Sequence, residues 1–303
     1  MTHEQGKLKE ALEYFDELLQ DCTMCARNCR INRKKRKGFC GQGPSAKITN
    51  AILHFGEEPP LVKNGGAGAV FFSGCGMSCV YCQNFSFSQL GYGREVSSKE
   101  LGNIFLKLQE SGAATLDLVT PEPHLHSILE ALIYAQENGF SLPIVFNTSS
   151  YVNVETLKHL DGIIDIYLAD IKYTNDEFAV KYSHAPNYWQ TTKKALREMY
   201  RQVGAFREQK MKGLIVRHLV LPNDISGTQK AVRFIAEELS TSVPISLMSQ
   251  YFPVYKAKKI RELNRKIKRD EYSNALNFVE EYGLNGWFQP IGEKKNALYA
   301  KTI

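Results

Sequence analysis

The sequence predicts an α/β fold built on a mainly parallel sheet. Six short apolar, β-rich runs recur from residue 69 onward, and stretches of helical periodicity separate most of them. The runs are almost continuous in apolar residues, as strands covered on both faces are. A further observation bears on function: three of the seven cysteines crowd into the loop after the first run. Periodicity alone leaves a doubly wound sheet and a partial barrel both open.

The elements follow in order. Residues 7–21, KLKEALEYFDELLQD, place Leu8, Leu12, Phe15, Leu18 and Leu19 at helical spacing, a stripe for core or docking. A cysteine-rich stretch, 22–42, follows with little apolar material of its own. Strands are expected at AVFFSG (69–74), TLDLVT (115–120), PIVFNT (143–148), IIDIYLADIK (163–172), LIVRHLVLP (214–222) and PISLMSQY (244–251). Helices are expected at 98–112, 125–139, 188–204 and 227–241, several of them closed by glycine. The tail 258–283 reads as helical, and GWFQPI adds a short strand. No internal repeat or low-complexity linker interrupts the series.

The 303 residues are 43% hydrophobic and 23% charged, enough to bury a sizeable core. No run approaches the roughly 18 apolar residues of a membrane span. The polar, then amphipathic, beginning lacks a signal-peptide core, so a cytoplasmic protein without a membrane partner is expected. The net charge of +6 is mild. The basic run RKKRKG (33–38) lacks the interleaved aromatics of a nucleic-acid platform. It reads as a solvated loop, and no nucleic-acid partner is expected.

The cysteines fall into two sets, Cys22, Cys25, Cys29 and Cys40, then Cys75, Cys79 and Cys82. In a reducing cytosol, clustered cysteines are metal ligands before they are disulfides. The second set follows a strand end, where α/β folds place their ligand sites. Structural zinc asks for a fourth protein ligand, whereas an iron–sulfur cluster can take three and leave one iron open. The triplet therefore points to an open coordination site.

The C-x3-C-x2-C spacing, with the aromatic Tyr81 before the last cysteine, resembles the signature of radical S-adenosylmethionine (SAM) enzymes. The wider stretch GGAGAVFFSGCGMSCVYCQNFSFSQ resembles relatives of pyruvate formate-lyase activating enzyme, over roughly residues 54–255. The resemblance implies a partial (β/α)6 barrel, a 4Fe–4S cluster on Cys75, Cys79 and Cys82, and SAM as cofactor. It also implies reductive cleavage of SAM to methionine and a 5′-deoxyadenosyl radical that takes a hydrogen atom from substrate. A ferredoxin or flavodoxin would supply the electron. The chain then divides into an N-terminal helix and four-cysteine metal-binding extension (1–60), a radical SAM core (61–255) and a C-terminal helical extension (256–303).

Family anchors map onto strand ends. Tyr81 is expected near the adenine. VTPEP stands where the family has a Gly-Gly-Glu-like turn, which makes Thr120 and Glu122 candidates for the methionine amino group. Asn147 ends the third strand. Asp170 and Lys172 match an Asp-x-Lys ending, Arg217 matches a strand-five arginine, and Gln250 stands where activases place histidine. The N-terminal set, C-x2-C-x3-C-x10-C, suits either a closed structural zinc or a second iron–sulfur cluster.

Other features of the sequence carry weaker signals. GGAG (65–68) precedes a strand, so it reads as a turn and not as a phosphate loop. HFGEEPP (54–60) brings His54, Glu57 and Glu58 toward the cluster, with a solvated loop as the default. His124 and His126, two residues apart, share no helix face and are not read as ligands. The expected function is a radical SAM oxidoreductase. Activation of a glycyl-radical protein, with that protein as substrate, follows the family resemblance. The alternatives are radical modification of a small molecule, peptide or RNA, or a non-catalytic iron–sulfur or zinc protein that binds a partner or passes electrons.

Overall fold

Ten strands join in one sheet in the computed structural model, which describes residues 5–291 and the backbone of 299–301. They are β1 (Ala46–His54), β2 (Ala67–Phe72), β3 (Arg94–Val96), β4 (Thr115–Val119), β5 (Ile144–Thr148), β6 (Ile166–Ile171), β7 (Gly213–Leu219), β8 (Ile245–Met248), β9 (Gly286–Phe288) and β10 (Tyr299–Lys301). Their order is β10-β9-β8-β7-β6-β5-β4-β2-β1-β3. From β2 through β9 each neighbouring pair is parallel, and antiparallel strands finish both edges. The sheet is therefore open, and all six expected strands lie in its parallel part.

The helices are α1 (Gln5–Gln20), α2 (Pro59–Val62), α3 (Phe85–Ser88), α4 (Ser98–Glu110), α5 (Leu125–Glu137), α6 (Val154–Lys158), α7 (Asp176–Ser183), α8 (Tyr188–Val203), α9 (Thr228–Phe234) and α10 (Arg269–Glu281). Several have a visible local cause. Leu8, Ala11, Phe15 and Leu19 form the buried stripe of α1, which packs on α5. Ser97 and Glu100 cap α4 reciprocally: Glu100 N donates to Ser97 Oγ at 3.2 Å, and Ser97 N donates to the Glu100 carboxylate at 2.8 Å.

Successive strand residues point to opposite faces, and this alternation divides the interior. One face joins the helices in the main core. The other carries Val145, Ile166, Leu168 and Ile215, which form a smaller apolar cluster with Leu61 and Met211. Further along the same rows come Asn147, Asp170 and Arg217. A period of two therefore places an apolar plug at one end of this face and polar side chains toward the carboxyl ends of the strands.

The structure departs from expectation in three places. The tail is not helical throughout 258–283: a 3-10 turn, Tyr255–Lys259, and an irregular segment precede α10. The helix begins where Glu271 accepts from Lys268 N at 2.7 Å and pairs with Arg265. Strands β1 and β3 carry many exposed residues and lack the apolar continuity that marks the parallel strands. Helix α7 was also unmarked; its start is fixed by Asn175, whose Oδ1 accepts from Glu177 N at 2.8 Å.

Candidate cluster and cofactor site

The loop after β2 is held in place before it presents any sulfur. Gly74 adopts φ +81°, a left-handed conformation that suits glycine, and its N–H donates to Phe87 O at 3.0 Å. Ser78 N and Val80 N donate to the carbonyls of Ser183 and Tyr182 at the end of α7, at 3.0 and 2.8 Å. Each sulfur then has a hydrogen-bonding neighbour. Met77 N donates to Cys75 Sγ at 3.3 Å and Ser183 Oγ to Cys79 Sγ at 3.0 Å, while Cys82 Sγ and Ser88 Oγ lie 3.2 Å apart.

All three cysteines line one cavity of about 630 Å³ at the carboxyl ends of the strands, within the usual range for small-ligand sites. Burial pushes the Cys75 thiol well up and the Cys79 thiol up to about 11. Three soft donors on one loop, supported by N–H and O–H groups and without a fourth cysteine in the cavity, fit an iron–sulfur cluster with one open iron.

Of the residues expected to anchor cofactor, the structure brings Tyr81, Thr120, Asn147, Asp170, Lys172, Arg217 and Gln250 to this cavity. Tyr81 is buried, its ring edge-on to Tyr173 and Tyr251. Thr120 takes φ +60°, an unusual conformation for a β-branched residue. Its N–H donates to Asn147 O at 2.9 Å. Lys172 Nζ donates to Asp170 at 2.7 Å. Burial works to lower the Lys172 ammonium, but the charge and hydrogen bond of Asp170, with the neighbouring Cys79 and Tyr188, together outweigh it and raise the group. Gln250 Oε1 accepts from Gln289 Nε2 at 3.5 Å.

Glu122 lies elsewhere. It is buried, accepts a hydrogen bond from Thr148 Oγ1, and borders the N-terminal cysteines rather than the cavity. Burial raises its carboxyl to about 7.

Arg217 is already engaged. Its Nε and Nη2 donate to the two Glu58 oxygens at 2.7 and 2.6 Å, and Nη2 also contacts Glu57. His54 Nδ1 stands 3.2 Å from Glu57. Burial works to raise the Glu57 carboxyl, but the Arg217 charge and hydrogen bonds from His54 and Arg217 hold it at about 2. HFGEEPP is thus no solvated loop, since both acids turn inward. Asp117 sits beside them, wholly buried. Burial and the Glu57 charge push its carboxyl well up, and Asn147 Nδ2 donates to it at 3.2 Å. Sequence reasoning passed over Asp117, although a lone acid inside an apolar parallel strand was the signal for it. Ser183, 104 residues from Cys79, had no sequence signal.

The N-terminal cysteines converge as well. Cys22, Cys25, Cys29 and Cys40 border a second void, with Arg27, Arg33 and Glu122. The backbone N–H groups of Arg27 and Gln42 hydrogen-bond Cys25 and Cys40, each two residues past its cysteine. Among the described residues, no three Cys, His, Asp or Glu side chains are gathered around the position of a single ion.

The Radical SAM superfamily pattern matches residues 69–235, more than half of the chain. The chain belongs to that superfamily. An uncharacterized protein of Methanocaldococcus jannaschii is 33% identical over 284 residues, 90% of this chain and 78% of its own. The pyruvate formate-lyase-activating enzyme of Clostridium pasteurianum is 30% identical over 136 residues, 41% of this chain and 54% of that enzyme. Among solved structures, a radical SAM methyltransferase from Sphaerobacter thermophilus aligns over 74% of this chain and 66% of its own, at 13% identity and a TM-score of 0.49. Methylornithine synthase aligns over 94% and 75%, at 14% identity and a TM-score of 0.48. The chain thus spans less than two thirds of the clostridial enzyme and of the methyltransferase.

Proposed function

We propose that the chain is a radical SAM enzyme with its reaction centre in the 630 Å³ cavity, acting on a protein substrate in the manner of a glycyl-radical activase. The observation that carries the radical chemistry is the convergence of Cys75, Cys79 and Cys82, each sulfur hydrogen-bonded, on a cavity ringed by strand-end polar groups. Those cysteines would hold a 4Fe–4S cluster, which when reduced supplies the electron that cleaves SAM to methionine and a hydrogen-abstracting 5′-deoxyadenosyl radical.

The chain's own residues bind, orient and exclude water. Asp170 and Lys172 offer one charge of each sign to a zwitterionic amino acid group. Thr120, Asn147 and Gln250 add neutral donors and acceptors. The Tyr81 and Tyr251 rings offer apolar surface for a base. The cluster of Leu61, Val145, Ile166, Leu168, Met211 and Ile215 closes the inner end of the sheet face against solvent. His54 and the exposed ring of Phe55 line the cavity as well. The N-terminal cysteines hold a second centre, zinc or a second cluster.

The test is anaerobic. Purified protein is given dithionite and SAM, 5′-deoxyadenosine is measured, and Cys79→Ala serves as the control. Product from the native chain and none from the variant supports the reading. A native chain that keeps its iron and forms no 5′-deoxyadenosine with any reductant overturns it in favour of a non-catalytic iron–sulfur protein. Transfer of deuterium from the glycine of a partner protein into 5′-deoxyadenosine supports the activase assignment. Transfer only from a small molecule, peptide or RNA refutes that assignment and leaves the radical chemistry intact.

A further inference from the structure

The N-terminal cysteine module is built against the radical-motif loop itself. Cys25 Sγ lies 3.2 Å from where a Cβ on Gly76 would stand, and the Cys40 carbonyl lies 2.6 Å from the same point on Gly74. These two glycines flank Cys75. Arg27 Nε locks the contact by donating to Gly76 O at 2.6 Å. Side chains at 74 or 76 would push the two cysteine sets apart, so both glycines serve close approach. A site that only folds residues 22–42 has no need of this placement. A centre that exchanges electrons with a cluster on Cys75 does.

Two features of the void bear on the metal. The first is size: the space bordered by the four cysteines is about 20 Å³. Sulfurs set about 2.3 Å from a zinc ion leave no room for a water-sized sphere between them, so a void of this volume suits a larger centre. The second is a pair of unanswered donors. Arg33 Nε and Arg27 Nη2 are buried without a hydrogen-bond partner among the described residues, on side chains that line this void. Neither reaches a cysteine sulfur, and the cysteine sulfurs are the only acceptors a zinc tetrathiolate offers. An iron–sulfur cluster adds inorganic sulfides within the void, and these accept N–H groups.

The outer side of the module is basic. Arg30 and Lys34 pair with Asp21 and Asp16. Lys35, Arg36 and Lys37 are exposed and in no ion pair among the described residues. Beside them Phe39 is 47% exposed, with the Arg27 guanidinium 3.6 Å from its ring centre. A basic run and an exposed aromatic in the loop between Cys29 and Cys40 complement a small acidic protein.

We infer that the N-terminal module is the electron port of the enzyme. Cys22, Cys25, Cys29 and Cys40 hold an iron–sulfur cluster, and Lys35, Arg36, Lys37 and Phe39 dock an acidic one-electron carrier protein of the ferredoxin or flavodoxin class. One electron passes from the reduced carrier to this cluster, then past Gly76 to the cluster on Cys75, Cys79 and Cys82. The carrier leaves oxidised by one electron, and no bond or proton moves in the relay. The inference rests on the radical SAM reading, because it supposes a cluster in the cavity that must be reduced.

Metal analysis and electron paramagnetic resonance of the anaerobic protein test it together with one surface variant. The expected result is about eight irons and no zinc per chain, with reduced-state spectra broadened by two interacting clusters. Lys35→Glu, Arg36→Glu, Lys37→Glu combined should leave dithionite-driven 5′-deoxyadenosine formation unchanged. The same variant should raise the KM for a reduced bacterial ferredoxin about tenfold, an effect that added salt removes from the native chain. About four irons with one zinc overturns the inference, as does an unchanged ferredoxin KM in the triple variant. Two interacting clusters with no 5′-deoxyadenosine under dithionite would sink the radical reading and leave standing only the iron–sulfur cluster on the N-terminal cysteines.

Discussion

Arg217→Met tests whether the Arg217 guanidinium belongs to the protein or to the cofactor. The substitution keeps an unbranched stem and removes the charge. Glu57 and Glu58 keep only 8% and 1% of their side-chain exposure, so they become two buried carboxylates without the guanidinium, with His54 Nδ1 beside Glu57. Removing one partner of a buried pair costs about 3–5 kcal/mol. In the native chain the Glu57 carboxyl sits at about 2, against 4.5 when unperturbed. Its contribution is therefore present above pH 4.5 and lost as pH falls toward 2.

In the variant, burial raises the Glu57 carboxyl instead, and the folded chain takes up a proton at a pH where the unfolded chain does not. The deficit should be largest near pH 8 and shrink toward pH 5. Urea unfolding followed by Trp189 and Trp287 fluorescence reads it. At a slope of about 3 kcal/mol per molar, the midpoint falls by about 1–2 M at pH 8. Adding Glu57→Gln and Glu58→Gln should restore most of the loss, because the buried charges go with the guanidinium. A midpoint within about 0.3 M of native, or a deficit independent of pH, refutes the argument. Unchanged stability with weakened SAM binding would assign the guanidinium to the cofactor instead.

Three further outcomes are expected. Ser183→Ala removes the 3.0 Å donor to Cys79 Sγ; losing about 1 kcal/mol of stabilisation from the reduced cluster lowers its potential by about 40 mV, read by redox titration, and an unmoved potential contradicts this. His218, buried between Ile171 O and Thr228 Oγ1, is lowered to about 4 by burial. Its neutral form stabilises the fold fully above pH 6.5, and up to about 3 kcal/mol is lost as pH falls from 6.5 toward 4; His218→Gln should flatten the stability profile over that window. Gly74→Ala sets a Cβ 2.6 Å from Cys40 O at φ +81°. It should destabilise by more than about 1 kcal/mol and loosen metal at the N-terminal site, read by metal retention on dialysis against chelator.

The parallel strands and the cysteine loop were legible because their causes are local. A strand buried on both faces is apolar throughout, and thiols four and three residues apart meet whatever the rest of the chain does. The strand-end candidates were legible in part, since alternation by two brings Asn147, Asp170 and Arg217 to one face. Glu122 shows where this reasoning stops. The left-handed turn at Thr120 breaks the alternation, and the acid two residues on faces the N-terminal cysteines. The grip of Glu57 and Glu58 on Arg217 joins residues 160 and 159 positions apart. No spacing rule reaches that far, and two acids before Pro59 and Pro60 resemble many solvated loops.

The two charged groups of the cavity differ in what they can give up. For Arg217 to turn to a ligand it must leave two nearly inaccessible carboxylates, and a ligand carboxylate would not repay them. Asp170 and Lys172 are paired with each other as well, but at 19% and 23% side-chain exposure they border open space. If that pair opens onto the amino and carboxylate groups of a bound amino acid, Lys172 exchanges one carboxylate for another and Asp170 exchanges one ammonium for another. The net charge of the site does not change, and no ion is left buried alone. An exchange that conserves charge costs little, whereas one that strands Glu57 and Glu58 costs several kcal/mol. By this reasoning a zwitterion is expected at the Asp170–Lys172 pair, and Arg217 is expected to stay with Glu57 and Glu58.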